Sequence, residues 1–198
     1  MTANSSGTAR WQQFLDQTGA LLDRGLAEAE FLPLGAEALS QLVRVDDWLP
    51  DSFAQPHPER YQQYLLHRDP NDRFSVVSFV WGPGQATPIH DHTVWGLVGM
   101  LRGGEASQRY ARTPDDRLVK HGPPCVLRPG EVEQLSPRDG DVHQVSNVHH
   151  GVSISIHAYG ADIGRVRRHA FGDDGSIKTF ISGYSQGAAP AGWPGLLS

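Results

Sequence analysis

The chain has 198 residues, the length of one ordinary domain with room for a sizeable core. Hydrophobic residues make up 38% and charged residues 20%, so the composition is that of a folded domain rather than a disordered or membrane-embedded chain. The net charge of −5, from 17 basic and 22 acidic residues, argues against nucleic-acid binding, and the single cysteine excludes a disulfide framework within the chain.

The N-terminal stretch "MTANSSGTARWQQF" lacks the apolar segment of a secretory signal peptide. No apolar run approaches the roughly 20 residues that span a bilayer. We therefore expect a cytoplasmic protein with neither a membrane nor a nucleic-acid partner. The sequence leaves the oligomeric state open.

The N-terminal part of the chain is predicted to be helical. Apolar residues recur at roughly helical spacing over residues 9–49, and a second helix is predicted over 36–45. Three prolines between residues 50 and 58 then break the pattern. The stretch that follows, "PERYQQYLLH", fits either a helix or an extended strand.

From residue 73 onward the sequence indicates β-structure. Short runs rich in β-branched and aromatic residues, such as "RFSVVSFVWG" and "GVSISIHAYG", are separated by Gly, Pro or Asp at intervals of about ten residues. That spacing predicts an antiparallel sandwich or a small barrel. We predict a single domain over 1–198, with a helical part to about residue 58, a β-barrel over about 60–180, and an irregular tail over 183–198.

Two histidines in "HDHTVWG" point to a site inside the barrel. Side chains alternate along a strand, so His90 and His92 share one face. Two partly buried histidines satisfied by hydrogen bonds are the simpler alternative. Neutral imidazoles are, however, the commonest metal ligands in proteins, and a pair at this spacing favours a metal site.

The spacing around these histidines resembles the two motifs of the cupin superfamily. Gly84 precedes His90 by six positions, and "GDVHQVSN" places His143 between a glycine and Asn147. The resemblance implies a mainly β fold, a small antiparallel jelly-roll-like barrel that holds a metal, with the N-terminal helices packed outside. It also implies that His90, His92 and His143 bind the metal.

Two further histidines compete with His143 for the third position. His149 and His150 stand in "NVHHG", where neighbouring side chains on a strand would face opposite ways and the sequence has the character of a turn. His143 is therefore preferred.

One departure from the common cupin pattern is informative. A glutamate usually follows the two histidines by four or five positions, but Gly96 and Leu97 stand here, and the nearest acid is Glu105. Three neutral histidines leave the charge of a divalent ion uncompensated and part of its coordination shell open. Such a site favours anionic, chelating substrates and leaves room for dioxygen.

The strand "SISIHAY" predicts a polar wall beside the metal. Ser155, His157 and Tyr159 share one face, and two isoleucines and an alanine share the other. We expect the polar face to line the site and the apolar face to pack beneath other structure, such as the N-terminal helices. A half-exposed strand with its polar face in water is the alternative.

Together, "HDH", "GDVHQVSN" and the Ser-x-His-x-Tyr strand resemble the thiol dioxygenase family over residues 60–170. The resemblance implies one Fe(II) per chain, bound by three histidines without a carboxylate. It implies that Ser155 orients His157, which positions Tyr159 near the substrate. The implied enzyme activity adds both atoms of O2 to the sulfur of a small carboxylated thiol and yields a sulfinic acid.

The identity of the thiol is predicted from two positions. Animal-type cysteine dioxygenases carry Tyr-x-Arg ahead of the first strand; the equivalent here is Tyr61 with Gln63, or with the neighbouring Gln62. This resembles the glutamine-bearing 3-mercaptopropionate dioxygenases, in which a later arginine grips the carboxylate. Arg168 is the preferred candidate for that role, because an arginine fork binds a carboxylate with two hydrogen bonds.

Several alternatives remain open. Arg165 and Arg167 belong to the same segment, "RVRR", as Arg168. The alternative for this segment is a solvated basic strand at the edge of a sheet. L-Cysteine and mercaptosuccinate are the alternative thiols. Outside the class, a non-catalytic metal-binding cupin and a zinc-dependent hydrolase or isomerase use the same histidines. Hydrolysis requires a general base, and Asp91, the nearest acid, is expected to point away from both neighbouring histidines.

Overall fold

A computed structural model of the protein describes residues 5–172, 174–189 and 193–194. Two helices open the described chain, α1 (Ser5–Asp23) and α2 (Glu28–Val43), and a short 3-10 turn follows at Asp51–Phe53. The rest of the described chain forms the strands β1 (Gln62–Arg68), β2 (Ser75–Trp81), β3 (Ile89–His90), β4 (Gly96–Arg102), β5 (Glu105–Arg112), β6 (Leu118–Lys120), β7 (Cys125–Leu127), β8 (Val132–Leu135), β9 (His143–Asn147), β10 (Ser153–Tyr159), β11 (Arg168–Phe171) and β12 (Ile177–Phe180).

The strands pair in antiparallel fashion into two curled sheets. The first has the order β1-β2-β10-β4-β8, and the second has the order β12-β11-β3-β9-β5-β6, with β7 also paired to β5. Side chains from both sheets pack between them, including Phe79 and Trp81 of β2 with Val145 of β9. The prediction of a mainly β barrel with N-terminal helices is therefore confirmed.

The helices cover the outer face of the first sheet. Phe31 and Leu39 of α2 share one buried cluster with Ile154 and Ile156 of β10. Every residue of β2 and of β10 is buried, because helices lie on one face of these strands and the barrel interior lies on the other. The apolar face of "SISIHAY" thus packs beneath the helices, as the sequence predicts, and its polar face turns into the barrel.

The structure corrects one predicted element boundary and decides one undecided stretch. The second helix begins at Glu28 rather than at residue 36, because its apolar face already starts at Phe31. The backbone N–H of Ala27 donates to the carboxylate of Glu30 at 3.2 Å and caps that earlier start. The undecided stretch "PERYQQYLLH" contributes strand β1. The sequence analysis missed β6 and β12, two short strands with mostly exposed side chains.

The predicted C-terminal tail lies partly against the barrel. Residues 181–189 form neither helix nor strand, but the backbone N–H of Ser185 donates to the Gln63 carbonyl at 2.8 Å. Residues 190–192 and 195–198 of the predicted tail, and residues 1–4 of the predicted helical part, lie outside the described residues. Neither described helix combines the length and apolarity that a bilayer crossing requires.

Candidate active site

Three histidines from two neighbouring strands and a turn meet inside the barrel. His90 ends β3, His92 follows it by two residues, and His143 begins β9 directly opposite His90. The ring centroids of each pair are 4.8 Å apart, and the candidate ligand nitrogens all lie within 4.8 Å of one another. All three side chains are buried. The structure therefore brings together the three histidines that the sequence predicts as metal ligands.

The hydrogen bonds of His90 and His143 leave one nitrogen of each ring for a ligand. His90 Nδ1 lies 3.1 Å from the Pro88 carbonyl, an acceptor only, so this nitrogen carries the proton and Nε2 keeps a lone pair. His143 Nδ1 lies 2.9 Å from the Ser107 hydroxyl. Burial lowers the pKa of both rings well below the usual value, which keeps them neutral.

The opposite nitrogen of His143 supplies a test of metal binding. His143 Nε2 is buried and has no hydrogen-bond partner in the described part of the chain. An orphaned buried acceptor is costly unless a ligand satisfies it. A cation held by the three imidazoles would satisfy it, so the donor set fits a divalent metal.

Asp141 fixes the turn that carries His92. Its Oδ2 accepts hydrogen bonds from the backbone N–H groups of His92 at 2.8 Å and of Thr93 at 3.1 Å. Thr93 has φ 61°, a left-handed conformation that few non-glycine residues adopt. Burial alone would raise the pKa of Asp141, but the hydrogen bonds from His92 and Thr93 outweigh it and hold the pKa below its usual value. The carboxylate thus holds the His92 turn in place.

Tyr159 packs against Gly96, one of the positions at which the common cupin pattern has a glutamate. Among the described residues, the grouping of potential metal ligands contains His90, His92 and His143 and no carboxylate. A Cβ at Gly96 would lie 3.2 Å from two ring carbons of Tyr159. The absence of a carboxylate, predicted from Gly96, therefore has a steric counterpart in the fold.

The polar row of β10 forms a continuous hydrogen-bonded chain. Ser155 Oγ lies 2.8 Å from His157 Nε2, and His157 Nδ1 lies 2.8 Å from the Tyr159 hydroxyl. Phe79 stacks on the His157 ring at 4.1 Å, and the Tyr159 ring lies 5.5 Å from that of His92. Burial raises the pKa of Tyr159 above its usual value, so the hydroxyl stays protonated. The chain ends next to the histidine cluster.

A cavity of about 950 Å³ opens beside the cluster. Its lining includes most of the residues predicted for the site, namely Tyr61, Gln63, His90, His143, His157, Tyr159 and Arg168. His92, the third member of the histidine cluster, is not among the residues that line the cavity. The cavity has room for a small organic molecule in contact with the histidines and the tyrosine hydroxyl.

Arg168 brings a buried positive charge to the cavity. Its side chain is 4% exposed, lies over the Phe180 ring at 4.8 Å, and donates from Nη2 to the Ser182 hydroxyl at 2.7 Å. Its Nε is buried without a hydrogen-bond partner, and no carboxylate of the described residues pairs with it. Burial lowers its pKa, yet a guanidinium remains charged. An anionic ligand would supply the missing partner.

Strand register separates the two candidate glutamines. Gln63 lies opposite Phe79, a residue of the barrel interior, and Gln62 lies opposite Val80, which packs against the helices. Gln63 therefore faces the cavity side, where its Nε2 donates to the Gly183 carbonyl at 2.7 Å. Tyr61 packs on the Trp81 ring at 4.7 Å, and burial raises its pKa.

Comparison with known proteins identifies the family. Residues 36–171, more than half of the chain, match the family described as cysteine dioxygenase type I. The chain belongs to this family. The resemblance to the thiol dioxygenases that the motifs indicate is thereby confirmed.

Curated relatives of the cysteine dioxygenase family share part of this sequence. Cysteine dioxygenase type 1 of Danio rerio is 29% identical over 117 residues, which cover 57% of this chain and 56% of that protein. Cysteine dioxygenase type 1 of Homo sapiens is 27% identical over 111 residues, 54% of each. The chain thus spans about half the length of the curated relatives it matches.

Solved structures similar to this family member include two that are described as cupins. A cupin 2 conserved barrel domain protein from Salinispora arenicola has a TM-score of 0.42 and 19% identity, covering 58% of this chain and 86% of that chain. An RmlC-like cupin from Desulfovibrio desulfuricans has a TM-score of 0.35 and 19% identity, covering 54% and 89%.

The rival candidates lie away from the cluster in this cysteine dioxygenase family member. His149 and His150 are exposed in the turn after β9, and Arg165 and Arg167 are exposed before β11. Asp91 accepts a hydrogen bond from the backbone N–H of His169 at 2.7 Å, and its other oxygen lies 2.8 Å from that ring. It therefore braces β11 rather than facing the cavity.

The sequence analysis missed several residues that support the site. Ser182 and Tyr184 reach the cavity from a segment without periodicity, so no sequence signal indicated them. Ser107 contacts His143 through the pairing of β5 with β9. Asp141 stands inside the quoted motif "GDVHQVSN", where an acid two positions before the histidine was a usable signal.

Proposed function

We propose that this protein is a thiol dioxygenase with one Fe(II) per chain, which adds both atoms of O2 to the sulfur of a small carboxylated thiol. The reaction balances as RSH + O2 → RSO2H, a sulfinic acid. One observation carries the proposal. A cluster of three buried histidines without a carboxylate, among the described residues, lies beside a cavity that also holds a buried arginine without an ion-pair partner and the tyrosine end of a hydrogen-bonded chain.

His90, His92 and His143 would hold the metal. Three neutral ligands contribute no negative charge, so the site favours an anionic substrate such as a thiolate. When bound, Fe(II) supplies the redox chemistry that joins dioxygen to sulfur. The protein's own contribution is to position the substrate and to exclude alternative reactions.

Arg168 and Tyr159 are the residues that bind and orient the substrate in this proposal. The Arg168 guanidinium pairs with the substrate carboxylate, and burial strengthens that attraction. The Tyr159 hydroxyl donates a hydrogen bond into the cavity, while Ser155 and His157 hold its orientation. Tyr61 and Gln63 shape the wall beside Arg168.

The first choice of substrate is 3-mercaptopropionate. None of the described residues that line the cavity is an aspartate or a glutamate. The ammonium group of L-cysteine would therefore be desolvated without a counter-ion, at a cost that a thiol lacking an amine avoids. L-Cysteine is accordingly the second choice.

Mercaptosuccinate is a further candidate because the cavity carries more positive charge than one carboxylate needs. Arg60 and Lys178 also line it, both with exposed side chains. Either cation lies where a second carboxylate would meet it. An exposed pair contributes little free energy, so we rank this thiol below 3-mercaptopropionate.

Oxygen consumption tests the proposal. The protein, loaded anaerobically with Fe(II), is mixed with 3-mercaptopropionate, L-cysteine or mercaptosuccinate in an oxygen electrode, and products are identified by mass spectrometry. We expect a sulfinic acid and the highest kcat/KM for 3-mercaptopropionate. The absence of oxygen uptake with all three thiols would overturn the function, and a higher kcat/KM for another thiol would overturn the substrate.

The same experiment separates this function from a zinc-dependent hydrolase or isomerase and from a non-catalytic metal-binding cupin. A hydrolase needs a general base beside the metal, and Asp91, the nearest acid in sequence, is bound to His169. Metal analysis of protein purified without added metal decides further, since full zinc occupancy would favour hydrolysis. A Tyr159→Phe variant with unchanged oxygen uptake would argue against a catalytic role for the hydrogen-bonded chain and would favour the non-catalytic alternative.

A further inference from the structure

Glu105 is a buried acid that the proposed function does not use. It opens β5, its side chain is 1% exposed, and it lies opposite Asn147 of β9 and Leu127 of β7. Neither carboxyl oxygen makes a hydrogen bond of ordinary geometry within the described part of the chain. A buried carboxyl without such partners is costly, so it calls for a physical explanation.

The polar neighbours of Glu105 are Ser155 of β10 and Trp81 of β2. Burial raises its pKa to about 8, while the Ser155 hydroxyl and the Trp81 indole N–H act in the opposite direction. Trp81 Nε1 itself donates to Ser155 Oγ at 3.2 Å. Glu105 therefore lies next to Ser155, which is the end of the Ser155–His157–Tyr159 row farther from the histidine cluster.

The other charged groups around Glu105 do not neutralise it. Glu133 of β8 raises its pKa further. Glu133 is itself paired with Arg109, farther along β5, at 3.2 Å. Asn147 of β9 and Leu127 of β7 carry no charge. With its pKa raised to about 8, the carboxyl is mostly protonated near neutral pH and is then able to donate a hydrogen bond.

The hydrogen-bonded chain has two possible directions. A neutral imidazole carries one N–H, so His157 donates either to Tyr159 or to Ser155. A protonated Glu105 would donate to Ser155, Ser155 would then donate to His157, and His157 would donate to Tyr159. The tyrosine hydroxyl then keeps its own hydrogen for the cavity.

An ionised Glu105 reverses this order. A carboxylate only accepts, so Ser155 would donate to it, His157 would donate to Ser155, and Tyr159 would donate inward to His157. The substrate then loses its donor. The two arrangements differ by one proton at Glu105 and by the positions of hydrogens along the row.

We propose that Glu105 is a positioning residue that ends the Ser155–His157–Tyr159 chain and, as a neutral acid, makes the Tyr159 hydroxyl donate into the cavity. The proposal goes beyond the proposed function and rests on it for the catalytic readout. Its structural part concerns the protonation and contacts of Glu105 and has a readout of its own.

Infrared spectroscopy of the full-length protein tests the structural part. A protonated carboxylic acid has a carbonyl stretch separate from that of a carboxylate. We expect this band at pH 6.5, its loss as the pH rises through about 8, and its absence from Glu105→Gln. Glu131→Gln, which removes an exposed carboxyl, should keep the band. A wild-type protein without it overturns the proposal, whether or not Glu105→Gln folds.

The pH dependence of kcat tests the positioning role. Glu105→Gln keeps a neutral donor, so we expect activity close to wild type at pH 7 and none of the wild-type decline above pH 8. Glu105→Leu removes the donor and should lower kcat by roughly 10-fold, the contribution of one hydrogen bond, with little change in KM. A Gln variant that still declines as wild type does, or a fully active Leu variant, overturns the role.

The two proposals fail separately. A missing infrared band in a protein that still consumes oxygen would overturn the role of Glu105 and leave the dioxygenase proposal standing. An absence of oxygen uptake with every thiol would overturn the function. The infrared titration would in that case still decide whether Glu105 is a neutral acid.

Discussion

Gly96 and Tyr159 lie opposite each other across the β4–β10 pair, and a Cβ at Gly96 would come within 3.2 Å of two carbons of the tyrosine ring. Tyr159 is 2% exposed and also packs near His92, so it has little freedom to withdraw. A side chain at position 96 would therefore require the Tyr159 ring to shift by a few tenths of an ångström. The Tyr159 ring therefore packs over a position at which the common cupin pattern has a glutamate.

Gly96→Ala should displace Tyr159 and reduce turnover. Overpacking of this kind destabilises a core by about 1–3 kcal/mol, and a shifted hydroxyl no longer meets the substrate correctly. Denaturant unfolding and an oxygen electrode measure the two effects. Gly19→Ala in α1 is the control: the nearest atom would be 3.9 Å away, and the better helix propensity should stabilise by about 1 kcal/mol. Unchanged turnover in Gly96→Ala would contradict the steric argument.

Ser107→Ala should weaken metal binding. The Ser107 hydroxyl lies 2.9 Å from His143 Nδ1 and fixes the ring that presents Nε2 to the cluster. Loss of such a supporting contact lowers metal affinity by about 10–100-fold. Competition with a calibrated chelator measures the affinity. Ser146→Ala on β9 is the control, because Ser146 is half-buried and its side chain points to the face of the strand opposite His143. Equal affinities in both variants would mean that packing alone orients His143.

Arg168→Lys should lower kcat/KM chiefly through KM. Lysine is a point charge and cannot form the two parallel bonds that a guanidinium makes to a carboxylate. A hydrogen bond to a charged group contributes about 1.5–3 kcal/mol, which corresponds to roughly 10–150-fold. Arg165→Lys is the matched control, since Arg165 is exposed and pairs with Asp162 at 3.3 Å. Comparable losses of kcat/KM in both variants would contradict the role of Arg168 and favour the alternative that "RVRR" is a solvated basic strand.

The ligand cluster was predictable because its signals are local. His90 and His92 share a face through strand alternation alone, and the spacing around His143 matches a family motif. Strand alternation also predicted the polar row of Ser155, His157 and Tyr159. A polar face on an otherwise apolar strand indicates that this face lines a site.

The supporting contacts were not predictable because they depend on pairing between distant segments. Ser107 reaches His143 only through the register of β5 with β9, and that register is set by the whole sheet. Ser182 reaches Arg168 from a segment with no periodicity. Glu105 was the hardest to predict, since a glutamate at the start of a strand is ordinarily solvated.

Gln63→Ala and Gln62→Ala should differ in their effects on KM for the thiol and on hydrogen exchange in residues 183–185. The Gln63 amide donates to the Gly183 carbonyl at 2.7 Å, and its backbone N–H donates to the Ser185 hydroxyl at 3.0 Å, so it ties residues 183–185 to the cavity wall. Removing the amide should raise KM for the thiol and increase hydrogen exchange in this segment. Gln62 also lines the cavity, but it pairs with Val80 on the helix side of β1, so its loss should change KM less than the loss of Gln63 does. A KM change confined to Gln62→Ala would reverse the assignment.

The stability of the protein should fall as the pH rises from about 4.5 to about 8 because of Glu105. The folded state raises the pKa of this carboxyl from 4.5 to about 8 through burial, so it holds a proton that the unfolded chain has released. Stability falls with pH wherever the folded state binds more protons. One pKa unit corresponds to about 1.4 kcal/mol, so the full effect is roughly 5 kcal/mol at and above pH 8.

Urea unfolding of wild type and of Glu105→Gln at pH 5, 6.5 and 8.5 measures this effect. The amide cannot ionise, so the difference in unfolding free energy between the variant and wild type should grow in favour of the variant as the pH rises. Glu131→Gln, at an exposed site, should track wild type at every pH. A difference between Glu105→Gln and wild type that stays constant with pH would mean that the Glu105 carboxyl is solvated and ionised in the folded protein.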